Sequence, residues 1–338
     1  MNYKVTNKCY IDSVKEVVSM NKLEHRKVVL VGTGFVGMSM AYSILNTGGV
    51  DELILVDLDE QKAIGESMDL SHGLPYSHSS LKVRAGNYQD CKDASIVVIT
   101  AGAAQKPGQT RLELASINAK ITKGITESIM ASGFDGIIIV ASNPVDLMSY
   151  VVKEVSKLPS NQVIGSGTLL DTARLRYLLS EKLSIADDNI HAYILGEHGD
   201  SSFVPWMNTF IGCKSLMEYV VENNIDMNEM NSIYKQVQRA AYEIIERKKA
   251  TYYGIGLALN RLIQAILNDE NAVLTVSAYQ DGEYKQKGLY IGVPAIVGRN
   301  GIKQIMQLHL NKVDQRKFDK SCDTLKETIV NEIDKIIK

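Results

Sequence analysis

The chain has 338 residues, which corresponds to about two domains at roughly 150 residues each. Its 37 Lys and Arg residues against 39 Asp and Glu residues leave a net charge of −2, which argues against nucleic acid as a partner because phosphate binding needs excess positive charge. No apolar run reaches about 18 residues, so we expect no membrane-spanning segment.

The four cysteines show no spacing that is typical of metal ligands. They are Cys9, Cys91, Cys213 and Cys322, and none belongs to a CxxC pair. We therefore predict isolated reduced thiols and no metal site. The N-terminal residues also lack the apolar core of a signal peptide. These features together predict a cytoplasmic protein.

Residues 1–25 form an extension before the first strong strand pattern, and only residues 11–20 are weakly amphipathic. Three interpretations remain open. The extension is an ordered arm on a neighbouring subunit, a loose tail, or the product of a misassigned start, with Met20 as the true first residue.

Residues 26–167 have the pattern of strands that alternate with helices. Short continuous apolar runs predict buried strands at 27–32, 52–57, 95–102 and 136–143. A helical spacing at 36–46 ends at Gly48 and Gly49, which are natural C-terminal stops. Continuous apolar strands between helices indicate a parallel sheet covered on both faces. We predict a Rossmann-type doubly wound α/β domain here.

Residues 168–338 have a different pattern and predict an α+β substrate domain. Long helices are expected at 169–183, 227–249 and 312–337. Two further apolar runs, 273–281 and 284–293, flank Asp281-Gly282, a sequence that favours a hairpin turn. No Pro- or Ser-rich linker separates the two halves, so we expect them to pack directly together.

A dinucleotide-binding motif follows the first predicted strand. Gly32, Gly34 and Gly37 form a GxGxxG that opens a helix, and the second strand ends in Asp57, twenty residues later. These glycines permit a tight turn, a close approach of pyrophosphate and close packing of helix on strand. Asp57 would bind both ribose hydroxyls of NAD and repel the 2′-phosphate of NADP. NAD is therefore the predicted cofactor.

The best candidate for acid–base chemistry is His198, which lies between glycines in the segment GEHGD. Reduction of a ketone needs a proton at the oxygen, and histidine supplies one near neutral pH. Asp171 and Arg174 lie three residues apart on a predicted helix and share a face. One could orient an imidazole, and the other could offer a planar fork to a carboxylate.

Two loops follow predicted strands of the sheet. Residues 101–112 contain Gly, Pro and Gln and end near Arg111, which predicts a lid that brings charge to a polarised carbonyl. Asn143 ends the next strand and could bind the nicotinamide or a substrate oxygen. Ligands bind at the carboxyl ends of such strands, so both loops are expected at the site.

With these residues assembled, the chain resembles the lactate/malate dehydrogenase family from about Lys27 to the C-terminus. The resemblance depends on seven motifs in order: GTGFVG, AGAAQKPGQTRL, ASNPVD, TLLDTARLR, GEHGD, KKATYYGIG and YIGVPAIVGRNGI. It implies a two-domain NAD-dependent oxidoreductase of the bacterial type. The implied reaction is reversible hydride transfer between NADH and C2 of pyruvate, giving L-lactate, with a role in anaerobic glycolysis and fermentation.

The resemblance also implies roles for individual residues. His198 would be the proton donor, Asp171 its partner, and Arg174 the residue that binds the substrate carboxylate. Arg111 would close over the site and polarise the ketone, with Thr251 beside the substrate. Residues expected near the cofactor are Gly32, Gly34, Phe35, Val36, Gly37, Asp57, Lys62, Tyr88, Gly102, Ala103, Ala141, Ser142 and Asn143.

Gln105 bears on substrate choice. By the same resemblance, the malate enzymes carry an arginine at this position, which pairs with the second carboxylate of oxaloacetate. Gln105 is neutral, so that carboxylate would be enclosed without a charge partner, which is costly. Pyruvate is therefore favoured. The alternatives are malate or a longer 2-hydroxy acid as substrate and, more remotely, an NAD-binding protein without catalysis.

Arg176 and His191 match the positions with which bacterial relatives bind fructose 1,6-bisphosphate. Both side chains suit a phosphate group. In the family that site forms where two subunits meet, so the resemblance also implies a homotetramer. The other interpretation is a surface arginine and a hydrogen-bonded loop histidine.

Overall fold

The computed structural model describes residues 26–103 and 111–337, without the side chain of Arg111. The N-terminal extension, Cys9 and the lid residue Gln105 therefore lie outside the described residues.

The first half of the described chain forms a parallel sheet of six strands. These strands are β1 (Lys27–Val31), β2 (Glu52–Val56), β3 (Lys82–Ala85), β4 (Ile96–Ile99), β5 (Ile137–Val140) and β6 (Val163–Gly165). Every residue of β1, β4 and β5 is buried, as expected for runs of Val, Ile and Leu covered on both faces.

The strand order is β6-β5-β4-β1-β2-β3, and all five pairings are parallel. The order reverses between β1 and β4, which leaves a crevice at the carboxyl ends of these two strands. The predicted doubly wound α/β fold is therefore confirmed. Alternate residues of β1 contribute to two different apolar clusters, one on each face of the sheet.

Helices cover both faces and form about half of the second part of the chain. They are α1 (Phe35–Thr47), α2 (Glu60–Gly73), α3 (Arg111–Ala131), α4 (Val145–Ser156), α5 (Leu169–Leu183), α6 (Leu216–Glu222), α7 (Met227–Lys248), α8 (Tyr253–Leu267), α9 (Lys312–Thr328) and α10 (Asp334–Ile337). A π-helical segment, Ile329–Ile333, joins α9 to α10, so the predicted C-terminal helix is continuous but locally widened.

Three antiparallel strands extend the same sheet beyond β6. They are β10 (Ala272–Asp281), β11 (Lys287–Gly298) and β12 (Gly301–Ile305), and Ser277 of β10 pairs with Gly165 of β6. The predicted hairpin is present, but its second strand begins at Lys287 rather than at 284. Tyr284 is buried with a positive φ of 50°, and its hydroxyl donates to Met306 O and accepts from Leu308 N.

A smaller sheet and a third apolar cluster lie in the second half. The sheet consists of β7 (Ile190–His191), β8 (Phe210–Ile211) and β9 (Lys214–Ser215). The cluster joins α5, α6 and α7 through residues such as Leu175, Leu216 and Met230. One side of α5 therefore packs in this cluster, which holds the helix that carries Asp171 and Arg174.

The described cysteines are free thiols, of which Cys91 and Cys322 are buried and Cys213 is exposed. In the part of the chain that the structure describes, no helix has both the length and the apolar character needed to cross a bilayer.

Candidate active site

The glycine-rich turn between β1 and α1 is shaped by close backbone packing. Gly32 has a φ of +103°, and a Cβ there would lie 2.7 Å from Ala101 N. A Cβ on Gly37 would lie 2.2 Å from Gly32 O, whereas a Cβ on Gly34 would meet nothing within 4 Å. The backbone at Gly34 is therefore open to an approaching group.

Among the described residues, no side chain caps the N-terminus of α1. Helix α1 begins after Gly34 with no capping side chain and no acidic residue in its first turn. Unpaired N–H groups and the positive end of the helix dipole attract an anion at such a terminus. The turn is thus suited to a phosphate group.

Asp57 follows β2 and lies beside this turn. Its Oδ2 accepts hydrogen bonds from Thr33 N at 2.7 Å and Thr33 Oγ1 at 2.8 Å, and its Oδ1 accepts from Asp59 N at 3.1 Å. Partial burial opposes ionisation, but the backbone N–H groups of Thr33 and Asp59 outweigh it and hold the pKa of Asp57 below its usual value. Asp57 is therefore a fixed, charged acceptor beside the crevice.

The loops after β4 and β5 are joined by one buried side chain. Asn118 of α3 accepts from Ala103 N at 2.8 Å and donates to Asn143 O at 2.7 Å. Ser142 Oγ donates to Ala101 O at 2.5 Å. These bonds bring the predicted residues at 101–103 and 141–143 to the same edge of the sheet.

Tyr88 and Lys62 lie near the crevice, Tyr88 in a short 3-10 helix (Tyr88–Cys91) after β3 and Lys62 on α2. Tyr88 is partly buried against the core, and burial raises the pKa of its phenol. The charge of Lys62 contributes to the lowered pKa of Asp57, so the two side chains lie near one another.

The central pair is His198 and Asp171. His198 Nδ1 lies 2.6 Å from Asp171 Oδ2, and the two side chains are 31% and 15% exposed. A carboxylate can only accept, so Nδ1 carries a hydrogen and Nε2 is the nitrogen left to exchange a proton. Burial disfavours the imidazolium, but the charge and hydrogen bond of Asp171 and the charge of Asp146 outweigh it, so the pKa of His198 is raised.

Arg174 lies on the same face of α5. Its Nη1 donates to Asp171 Oδ1 at 3.1 Å, and its side chain is only 16% exposed. Burial alone would raise the pKa of Asp171, but His198 and Arg174 together lower it. The carboxylate thus stays ionised between two cationic groups, and the guanidinium keeps further N–H groups for an anion.

A second carboxylate, Asp146 of α4, lies beneath the His198 loop. Its Oδ2 accepts from His198 N at 2.8 Å, and its Oδ1 accepts from the Ser277 hydroxyl. It is 2% exposed, and burial raises its pKa to about 6 even though both hydrogen bonds act in the opposite direction. Asp146 therefore fixes the backbone of the candidate acid–base residue.

Thr251 lies in the short connection between α7 and α8. The next residue, Tyr252, stacks its ring on that of Phe35 from the glycine-rich turn, with centroids 5.1 Å apart. Helix α8 packs on α1 so closely that a Cβ on Gly256 would lie 2.7 Å from Ser39. The connection that carries Thr251 is thereby held beside the crevice.

Two family models match consecutive parts of the chain. Residues 26–165 match the lactate/malate dehydrogenase NAD binding domain, and residues 168–336 match the lactate/malate dehydrogenase alpha/beta C-terminal domain. The chain belongs to the lactate/malate dehydrogenase family. The resemblance seen in the sequence is therefore confirmed, as is NAD as the cofactor of the N-terminal half.

Relatives in this family match over nearly their whole length. The L-lactate dehydrogenase of Macrococcus caseolyticus is 52% identical over 307 residues, covering 91% of this chain and 98% of that protein. L-lactate dehydrogenase 1 of Bacillus cereus is 53% identical over 304 residues, covering 90% and 97%.

Solved structures of the family superpose closely. A lactate dehydrogenase from a Medee basin deep-sea metagenome library has a TM-score of 0.89 at 49% identity, covering 90% of this chain and 98% of that one. The minor L-lactate dehydrogenase of Enterococcus mundtii in its ligands-bound form has a TM-score of 0.88 at 48% identity, with the same coverage.

The geometry fits the cofactor that the lactate/malate dehydrogenase family binds. The open backbone at Gly34 and the uncapped start of α1 suit a pyrophosphate, and the ionised Asp57 suits ribose hydroxyls. Not all predicted site residues can be placed, because Gln105 and the side chain of Arg111 lie outside the described residues.

Arg176 and His191 lie apart from the crevice. Arg176 Nε donates to Ala192 O, one residue beyond His191, at 3.1 Å, and its guanidinium lies over the ring of Tyr193. Arg176 lines a surface pocket of about 190 Å³ that also contains Asp187 and Asp188. His191 is exposed in β7. The structure thus brings the two predicted effector residues to neighbouring positions, with carboxylates close by.

Three residues of the site were missed by the sequence analysis: Thr33, Asn118 and Asp146. Each is a buried polar residue that hydrogen-bonds a predicted site residue far away in the chain. Thr33 stands in the motif GTGFVG and Asp146 in the motif ASNPVD, and these motifs were the available signals. Asn118 has no local pattern that distinguishes it from an ordinary helix residue.

Proposed function

We propose that the chain catalyses reversible hydride transfer between NADH and pyruvate, giving L-lactate. The observation that carries the proposal is the contact of His198 Nδ1 with Asp171, with Arg174 paired to the same carboxylate at the edge of a dinucleotide crevice. The relatives named as L-lactate dehydrogenases support the substrate.

The cofactor residues are proposed from the crevice and the family. When bound, NADH supplies the hydride that adds to C2 of pyruvate. The residues that would hold it are Gly32, Gly34, Phe35, Val36, Gly37, Asp57, Lys62, Tyr88, Gly102, Ala103, Ala141, Ser142 and Asn143.

His198 supplies the proton in the same step. Its imidazolium gives the Nε2 proton to the ketone oxygen of pyruvate, which becomes the hydroxyl of lactate, and His198 is left neutral. Asp171 keeps Nδ1 protonated throughout and stabilises the imidazolium. In lactate oxidation the neutral imidazole takes the same proton back.

Arg174 holds the substrate carboxylate, Thr251 lies beside it, and Asn143 assists at the ketone. A planar guanidinium can bind a carboxylate through two parallel hydrogen bonds, and Arg174 keeps free N–H groups beyond its bond to Asp171. Arg111 and Gln105 are proposed to act from the lid, Arg111 on the ketone and Gln105 against a second carboxylate.

The proposal is tested by NADH oxidation with pyruvate, oxaloacetate and 2-oxoisocaproate side by side. Preference for pyruvate would support the role of neutral Gln105. Preference for oxaloacetate or 2-oxoisocaproate would leave the reaction class intact and overturn the substrate. No turnover with any 2-oxo acid would favour the alternative of an NAD-binding protein without catalysis.

Replacing Asp57 should weaken the choice of NADH over NADPH. In Asp57→Ala the charged acceptor is lost, so we expect NADH affinity to fall about tenfold while NADPH affinity falls less or rises. Dissociation constants from fluorescence titration would show this. The control is Asp59→Ala, an exposed carboxylate that only caps α2. An unchanged ratio of the two affinities in Asp57→Ala would contradict the assignment.

A homotetramer is proposed from the family and from exposed apolar side chains on α2. Ile64 and Met68 lie one turn apart and are 40% and 53% exposed. Glutamate at both positions should place charges in a contact between copies and reduce the sedimentation coefficient to that of a smaller species. Glu66→Lys on the same helix is the control. Unchanged sedimentation would exclude α2 from the interface.

Regulation at Arg176 and His191 is proposed for fructose 1,6-bisphosphate, whose phosphates both side chains suit. Activity at subsaturating pyruvate near neutral pH, with and without the bisphosphate, tests it, and no change would count against it.

The division into residues 26–167 and 168–338 is supported by the family models, which meet between 165 and 168. Cytoplasmic location and a role in fermentation stay predictions.

A further inference from the structure

Backbone hydrogen bonds hold both ends of the loop that carries His198. Leu195 and Phe203 exchange two hydrogen bonds of 2.9 Å, and Gly196 and Gly292 exchange two of 3.0 Å. Between these ends, the position of His198 depends on how residues 197–202 are held.

Two successive amides inside the loop donate to buried side chains from different helices. His198 N donates to Asp146 of α4 at 2.8 Å, and Glu197 N donates to Ser321 Oγ of α9 at 2.7 Å. Ser321 has no exposed surface. The C-terminal helix thus contributes a direct contact to the loop, one residue before His198.

The hydrogen-bond directions around Ser321 are determined by its neighbours. Ser201 Oγ lies 2.5 Å from Glu197 Oε2, and an ionised carboxylate only accepts, so Ser201 donates there. Ser201 and Ser321 hydroxyls are 2.9 Å apart, so the Ser321 hydrogen points to Ser201. Ser321 Oγ is then free to accept from Glu197 N, and the three residues form a closed chain.

Close packing leaves this chain little freedom. A Cβ on Gly196 would lie 3.0 Å from Ser321 Oγ and 3.2 Å from Ser201 O. Ser321 is flanked in α9 by Phe318 and Cys322, which are both fully buried in the main core. The hydroxyl is therefore presented to the loop from a rigid support.

We propose that Ser321 is a positioning residue for His198, holding the loop so that Nδ1 keeps its contact with Asp171. The proposal rests on the function proposed above. Without the hydroxyl, the partly buried Glu197 amide loses its acceptor, and the loop must shift to satisfy it. A displacement of a fraction of an ångström lengthens the bond from Nδ1 to Asp171 and misplaces Nε2.

The charged groups that face His198 decide the direction of the effect on its titration. Asp171 and Arg174 face it from α5, Asp146 faces it from α4, and Glu197 precedes it in the loop. Asp171 contributes most of the stabilisation of the imidazolium. A longer bond to Asp171 therefore lowers the pKa of His198, while Asp146 and Arg174 stay in place.

The test compares Ser321→Ala with Cys322→Ala. The control removes one buried atom from the neighbouring position of α9, where the thiol is packed in the apolar core. We expect kcat for pyruvate to fall about tenfold in Ser321→Ala, with NADH affinity within about twofold of the parent. The falling limb of kcat/KM should move to lower pH, and neither change should occur in Cys322→Ala.

Titration of the His198 ring by NMR separates this proposal from the proposed function. A lower pKa in Ser321→Ala than in the parent supports positioning even if pyruvate is not the substrate. If Ser321→Ala does not fold, Ser201→Ala interrupts the same chain from its partly exposed side and should lower the pKa by less. An unchanged His198 pKa in the folded variant, or an equal shift in Cys322→Ala, would overturn the proposal.

Discussion

His198→Ala should reduce kcat for pyruvate reduction by about a thousandfold and leave NADH affinity unchanged. General acid catalysis contributes about 10² to 10⁴ in rate, and alanine removes the only proposed proton donor. The proposed cofactor crevice lies at the carboxyl ends of β1 and β4, beside β2 and α1, and these elements do not depend on the imidazole. Stopped-flow turnover and fluorescence titration of NADH would measure the two quantities.

His309→Ala is the matched control for this variant, because His309 is exposed and distant in the chain from every proposed site residue. Its kcat should equal that of the parent. Turnover that survives in His198→Ala within a factor of about ten would show that another group delivers the proton.

Arg174→Lys should lower kcat/KM for pyruvate by about a hundredfold, mainly through KM. Lysine keeps the positive charge beside Asp171 but replaces a planar fork with a point charge, so one of two charge-assisted hydrogen bonds to the carboxylate is lost. The fold should remain stable because the ion pair with Asp171 can be retained. Steady-state kinetics with pyruvate measure the effect.

Arg247→Lys is the corresponding control. Arg247 also pairs with a carboxylate on its own helix, Glu243 at 3.3 Å, but its side chain is 72% exposed. We expect no change in KM there. An Arg174→Lys enzyme with the parent KM would mean that another cation binds the substrate carboxylate.

The parallel sheet could be predicted because each central strand carries its own signal. Continuous Val, Ile and Leu runs predicted β1, β2, β4 and β5, and these strands are almost wholly buried. Strand β3 was missed because its residues alternate between exposed and partly buried positions. Strand β6 was missed because it has only three residues.

Element ends depended on tertiary contacts that no local pattern shows. Tyr284 has a left-handed conformation because its ring and hydroxyl are enclosed by the segment at 306–308. Helix α7 ends at Lys248, one residue before the predicted end, because Lys249 has a φ of 71°.

The site was predicted residue by residue only where a motif marked it. Asp171 and His198 are 27 residues apart, and their contact depends on the packing of α5 against the loop. The local i,i+3 spacing predicted that Asp171 and Arg174 share a face of the helix, where they form an ion pair. Asp146 and Ser321 were not predicted because each accepts a hydrogen bond from a backbone amide. Nearly every residue has such an amide, so no sequence pattern identifies the partner.

The charges around His198 explain why a half-buried imidazole can remain a proton donor near neutral pH. Burial alone would make the neutral form dominant, and Asp171 and Asp146 reverse that preference. Because the pKa is raised, the donor form is fully present below the usual value and is lost only as pH rises through the raised value. Reduction of pyruvate should therefore persist to higher pH than a histidine with the usual pKa would allow.

The pH dependence of kcat/KM for pyruvate in the parent and in Asp171→Asn tests the His198–Asp171 pair most directly. In the parent, kcat/KM should fall as pH rises, with a midpoint above 6.5, the usual pKa of histidine. In Asp171→Asn the carboxylate that stabilises the imidazolium is lost, so burial lowers the pKa of His198. The midpoint should therefore move to lower pH, and kcat/KM at neutral pH should fall about a hundredfold. Coincident limbs with equal kcat/KM in the two enzymes would contradict the assignment of His198 and Asp171 as the catalytic pair.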